Sequence, residues 1–271
     1  MSDTDGLRKL AIVPAYNEAG MVGRVVREIK RAAPDFDVVV VDDGSVDATA
    51  AEAEAEGAVL IRHPFNLGIG GAVQSGYKYA LRKDYDVAVQ VDGDGQHKSS
   101  FLPDLLSALK TGDEADMVHG SRFLEDPGYR VPIGRRAGNL IFSLVLTAIT
   151  RQRITDPTSG FRMTNRRGIE LFARDYPHDY PEVEAILMLH VHRLRIHEVP
   201  VRMNARGFGR SSIDYPRSAY YMAKVLLALF VGLFRRRPTP MDDPPDRPEG
   251  ESVAPSAAVA GAAESSDAAG A

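Results

Sequence analysis

The 271-residue chain contains no cysteine and no tryptophan. Without cysteine there is no disulfide framework, no thiolate zinc site and no cysteine nucleophile. Long apolar runs are missing too. The best candidate, Ala219–Phe234, is interrupted by Lys224 and falls short of the roughly 20 residues a spanning helix needs. The opening MSDTDGLRKL has no apolar core, so no secretory signal is expected. What is present, 44% apolar and 26% charged residues, describes an ordinary globular protein with one large domain or one domain with appendages. A net charge of −4, evenly spread, would argue against polyanionic ligands.

The charge is not evenly spread. Residues 1–121 carry 12 basic and 20 acidic side chains, residues 122–237 carry 20 and 10, and the tail from Pro238 carries one Arg and seven acids. An acidic half, a basic half and an acidic tail are averaged into the bland total. The tail has six prolines, many Ala and Ser, and no aromatic residue. It cannot bury enough apolar surface to offset its ordering entropy, so residues 238–271 are expected to be disordered.

Strand-like and helix-like stretches alternate through the first 121 residues. Apolar or β-branched runs at Leu10–Val13, Val38–Val41, Val59–Ile61, Val87–Val91 and Asp116–His119 predict strands. Between them, Ala19–Ala32, the stretch through Glu56 capped by Ser45 or Asp47, Gly71–Leu81 and Phe101–Lys110 predict helices. This alternation implies an α/β layer on a mostly parallel sheet. Ligands of such sheets sit beyond the carboxyl ends of the strands. Three strand ends carry polar clusters, Pro14-Ala15-Tyr16-Asn17-Glu18, Asp42-Asp43-Gly44-Ser45 and Asp92-Gly93-Asp94, and these are expected to converge on one pocket.

Familiar motifs fail on inspection. The glycine-rich Asn66–Gly71 stretch puts Val73 where a dinucleotide loop needs its third glycine, and no Gly-Lys-Ser/Thr follows. A calcium loop starting at Asp92 would need glycine and glutamate where His97 and Pro103 stand. His190, His192 and His197 lack zinc spacing and read as solvated or core residues. Asp92 and Asp94 are different. Two carboxylates straddling one residue at a strand end repel each other and call for a cation. Hard oxygen ligands favour Mg²⁺ or Mn²⁺, which share ligands with phosphates, and Gln96 can add a carbonyl oxygen.

Taken in order, VPAYNE, VVDDGSVDAT, NLGIGGAVQSGYKYA, VQVDGDGQH, HGSRF, TDPTSGFRMTNR and EVPVRMNARGFGRSSI resemble the successive blocks of family 2 glycosyltransferases. The resemblance is strongest to the branch of dolichyl- and polyprenyl-phosphate sugar synthases and runs from Leu10 to Ile213. It implies a GT-A, Rossmann-like nucleotide-sugar-binding fold with a mostly parallel central sheet. By this resemblance Pro14, Tyr16 and Glu18, with Asp42, hold the nucleotide of a GDP- or UDP-linked sugar. Asp92, Gly93 and Asp94 approach the ribose and diphosphate, with Asp92, Asp94 and Gln96 around the metal. Arg206, Arg210 and Ser211 belong to a loop closing over the diphosphate, where Ser212 replaces a Lys common in the family.

The basic half supplies the acceptor side. Arg122, Arg135 and Arg136 occupy places that in the family recognise a lipid phosphate, a task that suits the planar guanidinium fork. Asp156 resembles a position proposed in relatives as a base or acceptor-organising acid, with Glu184 as a second candidate. A phosphate acceptor is already anionic near neutral pH and needs little help from a base; the expected reaction is a direct, inverting displacement. The expected organisation is a catalytic domain over residues 1–215, an amphipathic interfacial helix over 216–237 and the tail. That places the chain in the cytoplasm, peripheral at the inner face of the cell membrane, with a small membrane protein as a possible partner and no nucleic acid. Two alternatives stay open: a saccharide or other hydroxyl acceptor, and a non-catalytic nucleotide-binding partner.

Overall fold

The computed structural model describes residues 6–111, 115–124, 133–178, 180–204, 224, 225 and 227. Seven strands form one sheet in the order β3-β2-β1-β4-β6-β5-β7. They are β1 (Lys9–Ala15), β2 (Phe36–Asp42), β3 (Val59–Arg62), β4 (Val87–Gln90), β5 (Met117–Ser121), β6 (Arg162–Asn165) and β7 (Ile196–Pro200). β6 runs antiparallel to both its neighbours and every other pairing is parallel. The mostly parallel sheet read from the sequence is therefore present, with one reversed strand that its short RMTN segment did not announce.

The helices are α1 (Val22–Ala32), α2 (Thr49–Ala55), α3 (Gly68–Arg82), α4 (Leu102–Thr111), α5 (Ile133–Thr150), α6 (Arg166–Arg174) and α7 (Pro181–Val191). They cover both faces, which is why β1 and the Val38–Val41 run are buried throughout and read as unbroken apolar segments. Alternation along β1 divides the core. Ala11, Val13 and Ala15 pack with α1 and α4, while Leu10 and Ile12 pack with α3, α6 and α7. A Cβ at Gly76 would collide with Ile12, so glycine sets how closely α3 lies on β1. A third cluster joins Phe142 and Leu146 of α5 to Val183 and Ile186 of α7, and Val225 reaches it.

The topology also locates a crevice. The chain winds outward from β1 through β2 to β3, then returns to place β4 on the other side of β1. Between the carboxyl ends of β1 and β4 the strand order reverses, which is where open α/β sheets bind ligands. Among the described residues no helix is long and apolar enough to cross a membrane. Most of residues 216–237 and all of residues 238–271 lie outside the described set, as do Arg206, Arg210 and Ser211.

Candidate active site

Two loops build one wall of the crevice. The loop after β1 hands its backbone N–H groups to the segment after β2: Asn17 to Ser45 Oγ (2.9 Å), Glu18 to Thr49 Oγ1 (2.8 Å), Ala19 to Asp47 Oδ2 (3.1 Å) and Gly20 to Glu52 (2.8 Å). In return Val46 N–H donates to Asn17 Oδ1 (3.0 Å). Asn17 sits at φ 54°, a left-handed conformation that asparagine tolerates. So braced, the loop holds Tyr16 at the rim with 48% of its surface exposed, a free aromatic face suited to stacking.

Asp42 and Asp43, alike in sequence, differ in role. Asp42 is fully buried, with Oδ1 accepting from Ser45 N–H (2.9 Å) and Oδ2 lying 3.2 Å from Arg62 Nε without hydrogen-bond geometry. Asp43 accepts from the N–H groups of Leu67 (2.9 Å) and Gly68 (2.8 Å), capping α3 from a neighbouring strand. His63 Nδ1 lies 2.7 Å from Asp43 and its Nε2 lies 2.9 Å from Ser75 Oγ. Nδ1 therefore carries the proton, because the carboxylate can only accept. The Asn66-Leu67-Gly68 stretch leads into α3, which starts at Gly68 rather than at the expected Gly71 and is held there by this carboxylate.

At the end of β4, Asp92 is held from several sides. Gln90 Nε2 donates to its Oδ1 (2.9 Å), and its own N–H donates to His97 Nδ1 (3.0 Å). That bond leaves the His97 proton on Nε2, 3.6 Å from Asp92 Oδ2, while the ring stacks on Phe161 at 4.8 Å. A Cβ at Gly160 would stand 3.3 Å from Asp92 Oδ2, so the loop before β6 lies directly against this carboxylate. Asp94 accepts from Gln96 N–H (3.0 Å) and from the Gln96 side-chain amide. Among the described residues no group of three or more metal-binding His, Asp or Glu side chains exists. Two acidic, part-exposed oxygen donors fit a hard divalent cation only if a ligand's phosphates and water complete its shell.

At the carboxyl end of β5 stands a charge pair. Arg122, just past β5, donates to the buried Asp156 through Nε (2.6 Å), Nη2 (2.7 Å) and its backbone N–H (3.0 Å). Nη2 also reaches Thr158 Oγ1 (2.8 Å). Burial pushes the Asp156 pKa up, but the Arg122 hydrogen bonds and charge outweigh it and hold the carboxyl below the usual range. A fully buried carboxylate, bonded at both oxygens and hard to protonate, is a poor proton acceptor. Of the two roles expected for Asp156, base or acceptor-organising acid, this environment suits the second.

This pair yields a prediction. Asp156→Asn removes the buried carboxylate that holds the Arg122 guanidinium and should cost about 3–5 kcal/mol of stability. A depressed folded pKa means the stabilisation is complete above the unfolded value and lost as pH falls through the folded one. The difference in urea midpoint between wild type and variant should be full above about pH 5 and shrink in acid. A difference independent of pH would contradict the assignment.

Sequence reasoning missed a polar layer beneath the site. Gln90, Arg162, His119 and Glu198 pair in register across β4, β6, β5 and β7, so they share one face of the sheet. On β1 and β2 the same row is apolar, Ile12 and Val39. Arg162, fully buried, donates to the carbonyls of Ser159 (3.0 Å), Pro181 (3.2 Å) and Glu182, tying the loop before β6 to the start of α7. Neither ring nitrogen of His119 has a hydrogen-bond partner among the described residues. Burial, with Arg162 and Arg122 adding to it, drives its pKa down to about 3, so it stays neutral.

Glu182 has its pKa raised by burial, with Arg162 opposing and Asp92 contributing. Glu184, the expected candidate, lies two positions on and projects from a different side of the helix. Pro14, Tyr16, Glu18, Asp42, Asp92, Gly93, Asp94, Gln96, Arg122 and Asp156 all lie along the carboxyl edge of the sheet. Arg135 and Arg136 fall in the first turn of α5, their side chains outside the described set. At the other boundary, Asn204 bonds to the carbonyls of Gln96 (2.9 Å) and Gly95 (3.1 Å). The chain thus reaches the acidic turn two residues before Arg206.

The acidic turn at the switch point and the Arg122–Asp156 pair thus lie on the same carboxyl edge of the α/β sheet. The model of glycosyl transferase family 2 matches residues 10–172, and the chain belongs to that family; it is a glycosyltransferase. It is 32% identical to the undecaprenyl-phosphate mannosyltransferase of Micrococcus luteus, over 77% of this chain and 88% of that one. It is 29% identical to the polyprenol monophosphomannose synthase of Mycolicibacterium smegmatis, over 80% and 85%. Among solved structures, glucosyl-3-phosphoglycerate synthase of Mycobacterium tuberculosis, in complex with Mn²⁺, uridine diphosphate and glucosyl-3-phosphoglycerate, superimposes with a TM-score of 0.63. That match is 22% identical and covers 83% of this chain and 79% of the other. At that identity the likeness carries the GT-A fold.

Proposed function

We propose that this glycosyltransferase moves a sugar from a GDP- or UDP-linked donor to a polyprenyl phosphate at the cytoplasmic face of the membrane, with inversion. The observation that carries the reading is the Arg122 fork, fixed by Asp156 on the same edge of the sheet as Asp92 and Asp94. A guanidinium suits a phosphate, and two relatives are named for polyprenyl-type phosphate acceptors. Tyr16, with Pro14, Glu18 and Asp42, receives the base and ribose. Asp92 and Asp94, with Gln96, would hold Mg²⁺ or Mn²⁺, which would supply positive charge to offset that of the departing nucleotide. Arg206, Arg210 and Ser211 close over it. Arg135 and Arg136 extend the cationic approach to the lipid headgroup. Because the acceptor oxygen is already anionic, the residues need only align it and exclude water.

Membrane contact is supported by α5, whose Leu140, Ile141 and Leu144 are exposed along one side while Arg151 and Arg153 lie exposed just past its end. An apolar stripe beside cations fits an anionic lipid surface. Residues 216–237, expected from the sequence to be amphipathic and mostly outside the described set, would add apolar and cationic side chains to this contact, and a small membrane protein can share it.

A second reading has a hydroxyl acceptor and needs a base; Glu182, in the first turn of α7 with its pKa raised by burial, suits that role. Substituting Glu182 by Gln separates the two. With a phosphate acceptor the pH–rate profile keeps its acid limb near the phosphate pKa of about 6. With a hydroxyl acceptor the reaction is lost by a factor of roughly 10² or more.

A further inference from the structure

One carboxylate in the polar layer has no part in donor or acceptor contact, yet it is bonded to the loop that carries Asp156. Glu198, on β7, accepts from Thr155 N–H (3.0 and 2.9 Å to its two oxygens), from Thr155 Oγ1 (2.8 Å) and from Asp156 N–H (3.2 Å). The same Asp156 turns its side chain the other way, onto Arg122. Ser121, immediately before Arg122, meets Thr155 Oγ1 at 2.5 Å. From α5, Asn139 donates to the Thr155 carbonyl (2.8 Å). The loop is thus held at its carbonyls by α5 and at its N–H groups by Glu198.

We infer that Glu198 is a positioning residue for the acceptor: from β7 it fixes the Thr155–Asp156 backbone and so sets where the Arg122 fork stands. This rests on the reading of Arg122 as the acceptor-phosphate contact. A carboxylate is required because three donors converge on it, and both oxygens must accept. Glutamine offers one acceptor oxygen and turns an NH₂ toward the Thr155 N–H. Burial raises the Glu198 pKa, and the hydrogen bonds from Thr155 and Asp156 oppose it.

The test uses the full chain with Glu198→Gln and, separately, Arg122→Lys. Hydrogen exchange is followed by NMR at the Thr155 and Asp156 amides and at Arg122 Nε–H, together with Tm and the KM for farnesyl phosphate and for the sugar donor. In Glu198→Gln, exchange at those three groups should accelerate roughly tenfold or more, and the acceptor KM should rise by a similar factor with the donor KM within about twofold. The melting temperature reads any general loosening of the fold separately from these local changes. Unchanged exchange overturns the inference, as does a lower Tm with both KM values raised together, the pattern of a purely structural residue. If exchange accelerates but neither variant alters the acceptor KM, the reading of Arg122 fails while the positioning of the loop stands. If Arg122→Lys raises the acceptor KM and Glu198→Gln does not, the positioning role is overturned.

Discussion

Replacing Arg122 by Lys should lower kcat/KM for the phosphate acceptor by roughly 10²-fold or more while leaving the donor KM within about threefold. Lysine keeps the charge but loses the planar fork. Arg122 spans Asp156 with Nε and Nη2 and reaches Thr158 with the same Nη2; an ammonium group is a compact point charge that cannot reproduce the planar spacing of these three hydrogen bonds. The guanidinium plane would no longer be fixed, and an acceptor phosphate would meet a mobile charge. The fold should survive, since the positive charge still faces the buried carboxylate. Steady-state kinetics with each substrate varied in turn provide the check. Equal losses in donor and acceptor parameters would show that Arg122 does not distinguish the two substrates.

The second large effect concerns the acidic turn. Asp94→Asn should reduce transfer by roughly 10²-fold or more, and EDTA should abolish it in the wild-type protein, with Mn²⁺ or Mg²⁺ restoring activity. Asp92 and Asp94 are the two carboxylates the turn offers, and among the described residues no third acidic or histidine ligand completes a cluster. A cation held by so few protein ligands depends on the diphosphate, so affinity for the metal should rise when the nucleotide is present. Titration of Mn²⁺ with and without nucleoside diphosphate reads this directly. Full activity in EDTA would contradict the role given to the turn.

The donor half was legible in the sequence because its signals are local. Apolar runs such as Val38–Val41 mark strands covered on both faces, and polar clusters directly after them mark the carboxyl edge. The acceptor half depends on partners far apart in the chain. Asp156 was visible as an acid in a turn, but its 34-residue separation from Arg122 hid the pairing that makes it an orienting group. Glu198 is 43 residues from Thr155 and reads only as a polar position in a short strand. β6 was hidden for a related reason: its inward positions include Arg162, so no alternation of apolar and polar residues marks it. His97 first served to exclude a calcium loop. In the fold it bonds to the Asp92 backbone and packs on Phe161, a role that the spacing Asp92-x₄-His97 cannot reveal without the turn's geometry.

The central claim is that an anionic phosphate, rather than a hydroxyl, is the group placed before the donor sugar. The most direct measurement is transfer of labelled sugar from GDP- and UDP-linked donors to farnesyl phosphate and, in parallel, to farnesol, with Mn²⁺ present. The account predicts label on the phosphate and none on the alcohol, with the product's anomeric configuration inverted relative to the donor. Equal labelling of farnesol, or transfer to a free saccharide in preference to farnesyl phosphate, would contradict it.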